Sequence, residues 1–147
     1  LKQTNIYTPN VNLNKNVPEF EMKIFNVNKS FSNNDFKSNQ YYLINIWASW
    51  CAPCQIEHVY LMELSNIKKL NIIGINYKDI KSNAEKFLDE LGNPYNLILK
   101  DESGKFSIGW GAYGVPETFV VFDNKIIKMF TGPLNEANVE EIIKILD

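Results

Sequence analysis

The chain has 147 residues, of which 45 % are hydrophobic and 22 % are charged, and this is the length and composition of a single globular domain with its own hydrophobic core. Its formal net charge of −2 and its lack of arginine argue against a nucleic-acid-binding protein, because phosphate recognition relies on basic patches and on bidentate arginine contacts. No stretch approaches the roughly 20 consecutive apolar residues that a membrane-spanning helix needs.

The N-terminal segment is polar and rich in asparagine, and we interpret residues 1–16 as a flexible lead-in or tether and residues 17–147 as the folded domain. Since the chain begins with Leu1 and not with methionine, we expect a targeting or anchoring segment to precede it in the full-length protein. Residues 17–25 alternate apolar and charged side chains, which predicts a half-buried strand. Phe31 and Phe36, set among polar residues, indicate a short strand and a helical turn.

Both cysteines of the chain, Cys51 and Cys54, belong to one C-x-x-C motif. Residues 41–47 before the motif are a mainly apolar run typical of a buried strand, and residues 55–70 after it have the pattern of a helix. A strand, a short turn, a C-x-x-C motif and a helix follow one another in this order in thioredoxin-type redox sites. Cys51 precedes the helix, where free N–H groups and the helix dipole favour a thiolate, and Cys54 is close enough to form a disulfide with it.

Two other uses of a C-x-x-C motif fit this chain less well. A structural zinc or copper site needs further Cys or His ligands, and the chain offers only His58, on the same predicted helix. A purely structural disulfide would normally close a longer loop, since a short loop constrains little of the unfolded chain. Redox chemistry is therefore the favoured interpretation, and we expect no metal and no cofactor other than the redox-active cysteine pair.

The rest of the chain alternates strands and helices and ends with a hairpin and a helix. The predicted strands are residues 71–77, 97–99, 118–122 and 125–130. One predicted helix runs from an N-cap at Ser82 to Leu91, and a last one follows an N-cap at Asn135. This order predicts an α/β protein with a thioredoxin-like fold, in which helices flank a central mixed β-sheet that carries an N-terminal extension and an inserted strand and helix.

A second motif, residues 111–119, puts Pro116 at the entrance of a predicted strand, after a glycine-rich turn. X-Pro bonds are cis in only about 5–6 % of cases in folded proteins, but the C-x-x-C motif upstream makes a cis bond between Val115 and Pro116 the expected geometry. In thioredoxin-like folds this loop lies against the redox pair, and the backbone of Val115 can pair with an extended substrate segment. An ordinary edge-strand proline is the alternative.

Several segments together resemble those of the DsbE/CcmG family, the thioredoxin-like proteins of cytochrome c maturation. The resemblance covers roughly residues 40–147, and its main segments are WASWCAPCQIEH (47–58), GINYKD (74–79), LGNPY (91–95), GAYGVPETF (111–119) and TGPL (131–134). The C-x-x-C motif alone is common to many redox proteins, whereas the combination of N-Y-K-D with G-x-P-E-T-F is much narrower.

This resemblance implies a thiol:disulfide oxidoreductase that faces the bacterial periplasm and is anchored to the inner membrane by a segment missing from this chain. It would reduce disulfides of apocytochrome c, or of a haem-ligation partner, through attack by Cys51 and resolution by Cys54. A membrane-embedded thiol reductase would return the pair to the dithiol, and the domain itself is expected to be a monomer. A general extracytoplasmic thioredoxin-like reductase and a peptide-binding module with inert cysteines remain alternatives.

Resolution by Cys54 needs a group that accepts its proton. Ordinary thioredoxins carry a buried Asp in the strand before the motif, where this chain has Asn45, whose amide cannot take up a proton. Glu57, three residues after Cys54 on the helix, and Glu117, directly after the expected cis proline, are the candidates, and the resemblance points to both. The alternatives are that Glu57 lies on a solvated helix face and that Glu117 is a strand-end carboxylate, neither of them with a functional role. The expected substrate contacts are Trp50, Pro53, Val115, Pro116 and Thr118.

Overall fold

The structure, a computed structural model, describes residues 10–147. The strands in this part of the chain are β1 (Asn10–Asn16), β2 (Glu21–Lys23), β3 (Ser30–Ser32), β4 (Tyr41–Trp47), β5 (Leu70–Tyr77), β6 (Leu97–Asp101), β7 (Glu117–Phe122) and β8 (Lys125–Thr131). The helices are α1 (Ala52–Leu64), α2 (Lys81–Leu91), α3 (Lys105–Gly109) and α4 (Glu136–Leu146), with a short 3₁₀ helix at Asn33–Asp35. No helix among these residues is long and apolar enough to cross a bilayer.

Six of the strands form one mixed sheet in the order β1-β8-β7-β4-β5-β6. Strands β4, β5 and β6 are parallel, and α1 and α2 make the crossovers that parallel neighbours require. Strands β7, β8 and β1 extend the sheet with antiparallel pairs on the other side of β4. This arrangement confirms the predicted central mixed sheet with flanking helices.

Two apolar clusters cover the two faces of this sheet. On one face, which we call the α1 face, helices α1, α2 and α4 pack on β4 side chains such as Leu43 and Trp47. On the other, the α3 face, α3 and the segment around β2 and β3 pack on Ile44 and Ile46. Because successive strand residues point to opposite faces, Asn45 belongs to the α1 face.

The position of the C-x-x-C motif follows from where β4 ends and α1 begins. Strand β4 ends at Trp47 and α1 begins at Ala52, so the motif lies at the carboxyl edge of the parallel strands, where open α/β sheets commonly carry their sites. Helix α1 ends at Leu64, so the predicted end at residue 70 is wrong. Leu70 is buried and already pairs with Tyr41 as the first residue of β5.

The N-terminal predictions need two corrections. Residues 1–9 of the predicted lead-in lie outside the described residues, but residues 10–16 form β1 and pair with β8, because an edge strand can be held by backbone hydrogen bonds and one apolar contact, here Leu13 on the α3 face. The strand predicted for residues 17–25 is reduced to β2, although its apolar side chains do pack on that face. The short strand and helical turn near Phe31 are present as β3 and the 3₁₀ helix.

The starts of α4 and α2 test the two predicted N-caps. Asn135 caps α4 by accepting a hydrogen bond from the N–H of Asn138, which confirms the predicted cap. Helix α2 begins at Lys81 after an N-cap at Ile80, so Ser82 is not its cap. The sequence analysis did not predict α3, whose first turn is held by the carboxylate of Asp101.

Candidate active site

The two cysteines form a disulfide at the N-terminus of α1, with their Cα atoms 5.3 Å apart. Cys51 is the N-cap residue, and its Sγ accepts a hydrogen bond from the N–H of Cys54 at 3.2 Å. Once the disulfide is reduced, the same N–H and the helix dipole would stabilise a Cys51 thiolate. Both cysteines are buried, and Cys51, at 4 % exposed, is slightly more accessible than Cys54, at 1 %.

The turn before Cys51 is held by the end of β5. The carboxylate of Asp79 accepts hydrogen bonds from the N–H and the hydroxyl of Ser49, both at 2.7 Å, and from the side-chain amide of Asn76 at 3.0 Å. The indole N–H of Trp50 donates to the carbonyl of Lys78 at 3.0 Å, while 58 % of this tryptophan stays exposed. The segment 74–79 therefore positions both the turn and the exposed indole beside the disulfide.

Glu57 lies on α1 with no exposed surface. Its Oε2 accepts a hydrogen bond from the side-chain amide of Asn45 at 2.9 Å, and its Oε1 accepts one from the N–H of Leu134 at 3.0 Å. Because it follows Cys54 by three residues, the two side chains share one side of the helix. Leu134 belongs to the TGPL segment, whose backbone thus reaches the buried carboxylate.

Burial controls the protonation of Glu57. Loss of water raises its pKa from the ordinary value of 4.5 to about 7, against the opposing effect of the hydrogen bonds from Leu134 and Asn45. A carboxyl group with this pKa exchanges its proton near neutral pH, which is the range in which general bases work best.

Asn45 connects Glu57 to two further side chains. The hydroxyl of Tyr95 donates to Oδ1 of Asn45 at 2.8 Å, and the amide nitrogen of Asn45 also lies 3.1 Å from the hydroxyl oxygen of Thr118. Burial, together with the charge of Glu57, raises the pKa of Tyr95 well above its ordinary value, so this hydroxyl keeps its proton. The sequence analysis assigned no role to Tyr95, and its one signal was membership of the LGNPY segment.

The peptide bond between Val115 and Pro116 is cis, as the sequence analysis expects. Val115 is half-buried and packs against the apolar cluster that contains Cys51 and Cys54. Val115 packs against the cluster on the other face as well, and part of its surface stays exposed.

Glu117 is buried at the start of β7, directly after this proline. Its Oε2 accepts hydrogen bonds from the N–H groups of Tyr113 and Gly114, while its Oε1 is buried without a hydrogen-bond partner. Burial raises the pKa of Glu117, and the two backbone hydrogen bonds oppose that rise.

The structure separates Glu117 from Glu57. Thr118 points to the α1 face, because it contacts Asn45, so its neighbour Glu117 points to the α3 face. Glu117 as a proton acceptor stays a prediction, but its hydrogen bonds are made within its own loop, so the two carboxyl groups lie on different faces of the sheet and in separate hydrogen-bond networks. The alternation of side chains along β7 determines which face Glu117 takes. The sequence alone does not show which residues of this strand face which side of the sheet.

The expected substrate-contact residues fall into two groups. Trp50 and Pro53 are exposed, and Val115 is half-buried. Pro116 is buried, and Thr118 has no exposed surface. Thr118 therefore cannot contact a substrate as expected, because its hydroxyl lies in the interior beside Asn45.

His58 does not form a metal site with the cysteines. Its Nε2 lies 2.7 Å from the carbonyl oxygen of Gly92, and burial lowers its pKa. Among residues 10–147, no group of three or more His, Cys, Asp or Glu side chains is arranged to hold a metal ion.

Comparison with known proteins gives concordant matches. The model of the Redoxin family matches residues 12–143. The thiol:disulfide interchange protein DsbE of Haemophilus influenzae is 41 % identical over 131 residues, which are 88 % of this chain and 72 % of that protein. The thiol:disulfide interchange protein CycY of Rhizobium leguminosarum bv. viciae is 48 % identical over 100 residues, 67 % of this chain and 54 % of that protein.

A solved structure supports the fold. The crystal structure of a DsbF homologue from Corynebacterium diphtheriae superposes with a TM-score of 0.81 at 24 % identity, and the match covers 99 % of this chain and 96 % of that chain. At this identity the likeness bears on the fold alone.

Proposed function

The chain belongs to the Redoxin family and, within it, to the DsbE-type thiol:disulfide interchange proteins, and from this membership we propose that it reduces disulfides of apocytochrome c, or of a haem-ligation partner, in the periplasm. Its activity as a thiol:disulfide oxidoreductase follows from the family. The observation that carries the reductase mechanism is the redox disulfide at a helix N-terminus with the buried carboxyl group of Glu57 three residues further along the same helix, while the apocytochrome c substrate is proposed from the likeness to the DsbE-type proteins.

The first step joins the enzyme to its substrate. In the dithiol form, the Cys51 thiolate attacks one sulfur of the substrate disulfide, and the substrate S–S bond breaks as a mixed disulfide with Cys51 forms. The second substrate sulfur leaves as a thiolate and takes a proton from water. The N–H of Cys54, which already contacts the Cys51 sulfur, stabilises the attacking anion.

The second step releases the reduced substrate. Glu57 accepts the proton of the Cys54 thiol, and the resulting thiolate attacks the Cys51 sulfur. The mixed disulfide breaks, the Cys51–Cys54 disulfide forms, and the remaining substrate sulfur leaves as a thiolate that is protonated in turn. Two electrons have then passed to the substrate, whose two free thiols are the form that haem attachment requires.

The remaining residues supply binding and loop geometry in this proposal. An extended substrate segment pairs with the backbone at Val115 and packs on the exposed Trp50 and Pro53. Glu117 holds the loop through Tyr113 and Gly114 and so positions Val115. A membrane-embedded thiol reductase returns the oxidised pair to the dithiol, and an N-terminal anchor keeps the domain at the inner membrane.

Substrate trapping tests this function. A Cys54→Ser variant keeps the attacking sulfur and cannot resolve, so it should accumulate a mixed disulfide with an oxidised peptide that carries the haem-attachment motif C-x-x-C-H. Cys51→Ser is the matched control and should trap none.

Competition between that peptide and insulin separates the leading role from the alternatives. We expect kcat/KM for the haem-site peptide to exceed that for insulin by about tenfold or more, which requires only about 1.4 kcal/mol of selective binding. Equal values would favour a general extracytoplasmic reductase. Binding of the peptide without any disulfide exchange would favour the remaining alternative, a peptide-binding module with inert cysteines.

A further inference from the structure

The buried hydrogen-bond network around Glu57 contains a residue to which the mechanism assigns no step, Tyr95 in the loop between α2 and β6. We propose that Tyr95 is a positioning residue for the redox site: its hydroxyl orients the amide of Asn45 so that the NH₂ group faces Glu57. This inference rests on the proposed function only in its kinetic consequence, since the orientation itself is a property of the folded chain.

Three consecutive contacts carry the inference. The Tyr95 hydroxyl lies 2.8 Å from Oδ1 of Asn45, and Nδ2 of Asn45 lies 2.9 Å from Oε2 of Glu57. Asn45 has no exposed surface and Tyr95 is 8 % exposed, so water does not readily replace either partner. Side chains from α1, β4 and the α2–β6 loop thus form one buried chain of hydrogen bonds.

The donors and acceptors of these three side chains fix the direction of the hydrogen bonds between them. An ionised carboxylate only accepts hydrogen bonds, whereas an amide side chain accepts at its oxygen and donates at its nitrogen. Because Tyr95 keeps its proton, its hydroxyl can donate to the oxygen end of Asn45, which leaves the NH₂ end for Glu57 and Thr118. The carboxylate therefore receives a donor that would be lost if the amide turned over.

The fold makes specific room for the tyrosine ring. Gly74 lies in the interior of β5, in register with Asn45 on β4, and a Cβ at this position would come within 2.8 Å of the Tyr95 ring and of the indole nitrogen of Trp47. The ring also stacks on Trp47, with centroids 5.5 Å apart and planes at 18°. Asn93 anchors the loop by accepting the Tyr95 N–H at 3.0 Å.

Few other charged or titratable groups act on Glu57 in the described part of the chain. Cys54 and His58 lie on its own helix, and His58 binds the carbonyl of Gly92. The α4 side presents the neutral N–H of Leu134, while Lys128 of β8 is paired with Glu141 at 3.0 Å. The hydrogen-bond donors to the carboxyl group are therefore the Leu134 N–H and the Asn45 amide, and Tyr95 acts on it through Asn45.

Loss of the hydroxyl should favour the protonated carboxyl group. The oxygen of Asn45 would lose its buried donor, and a turned amide could accept a hydrogen bond from protonated Glu57. The first effect weakens support for the ionised form and the second stabilises the protonated form, so the pKa of Glu57 should rise by about one unit. At pH 7 the ionised fraction would then fall about fivefold, and resolution by Cys54 would slow to the same extent.

The test is the Tyr95→Phe variant, which keeps the ring and removes the hydroxyl. The pKa of Glu57 would be measured from its carboxyl carbon signal by NMR in the oxidised protein, which needs no redox turnover. Tyr42→Phe is the matched control, because Tyr42 is another buried tyrosine whose hydroxyl bonds Gln40 and the N–H of Lys37. We expect the upward shift with Tyr95→Phe and none with Tyr42→Phe.

The outcomes separate this inference from the proposed function. An unchanged Glu57 titration in folded Tyr95→Phe protein overturns the positioning role. A shifted titration with an unchanged pH profile for resolution supports the positioning role and removes Glu57 as the proton acceptor. If Tyr95→Phe does not fold, the amide signals of Asn45 in the unmodified protein decide: they must titrate with the midpoint of Glu57, and their invariance overturns the inference.

Discussion

At the scale of single residues, the environment of Glu57 bears most directly on the mechanism. A buried carboxylate needs several hydrogen bonds to stay ionised, and Glu57 receives one at each oxygen, from Leu134 and from Asn45. Two donors do not offset complete burial, which is why its pKa rises to about 7. The Asn45 amide therefore stabilises the Glu57 carboxylate by a hydrogen bond, but it cannot itself accept a proton.

Substitution of Glu57 tests its part in resolution. Glu57→Gln keeps the size of the side chain but cannot accept a proton, so release of a trapped mixed disulfide at pH 7 should slow by about a hundredfold, the lower end of general-base effects. Stopped-flow measurement of substrate-thiol release gives the rate. Glu63→Gln, at an exposed position of the same helix, is the control, and equal rates in the two variants would remove Glu57 from the mechanism.

The same residue should make stability depend on pH. The folded protein holds the Glu57 proton up to about pH 7, whereas the unfolded chain releases it near 4.5, so between these values the folded state binds more protons. The free energy of unfolding therefore falls as pH rises through this range, by roughly 3 kcal/mol in total for this group.

Urea unfolding at pH 4.5 and pH 8 measures this effect. The unmodified protein should lose stability relative to Glu57→Gln between the two values, because glutamine does not titrate, and comparison of the two proteins cancels the contributions of all other groups. Parallel pH profiles for the two proteins would contradict the assignment of a raised pKa to Glu57.

At the scale of elements, strand β5 shows how a strand can be shaped by a neighbouring side chain. Glycine inside a strand ordinarily costs stability, yet Gly74 is the residue that leaves space for Tyr95 and Trp47. The ends of β5 and β4 are also joined, through Asp79 and Ser49, so this strand supports both the inner network and the turn before Cys51.

Gly74→Ala tests the fit of the tyrosine against β5. Its Cβ would overlap the Trp47 and Tyr95 rings at 2.8 Å, and overpacking of this kind should lower the free energy of unfolding by roughly 2–3 kcal/mol. Gly109→Ala is the control, because a Cβ there meets no atom within 4 Å, and it should change stability by less than about 1 kcal/mol. Equal unfolding midpoints in urea would refute the steric argument.

At the scale of the whole molecule, the N-terminal part of the chain pairs with β8 at one side of the sheet and with β6 at the other. Strand β1 pairs with β8 on one side, and on the other Ile24 bridges to Leu99 while the N–H of Phe25 donates to the carbonyl of Ile98. These contacts occupy backbone groups of β8 and β6 that would otherwise be open to pairing with another chain.

A charge on the packed side of β1 should loosen this cover. Leu13 packs on the α3 face, so Leu13→Asp should cost about 1–2 kcal/mol of stability and raise the fraction of dimers and larger species as β8 becomes accessible. Asn14→Asp introduces the same charge at an exposed position and should do neither. Sedimentation velocity and urea unfolding give the two readouts, and identical behaviour of both variants would contradict the role of β1.

The elements that could be predicted from the sequence are those whose signals are local. The C-x-x-C motif between a buried strand and a helix, the hairpin of β7 and β8 and the Asn135 cap each depend on a few neighbouring residues, and the structure has them. Element boundaries and strand β1 have no such local signal, because pairing with a distant strand can order a polar segment that has no pattern of its own.

The sequence by itself determined the redox pair, its place before a helix and the identity of the acidic candidates, since these follow from spacing along the chain. Only the tertiary structure decided that Glu57 and Glu117 point to opposite faces of the sheet, that Thr118 is internal, and that Tyr95 reaches Asn45. The physical reason is range: the Tyr95–Asn45 and Leu134–Glu57 hydrogen bonds join residues 50 and 77 positions apart, and burial, which sets the pKa of Glu57, exists only once these segments have packed together.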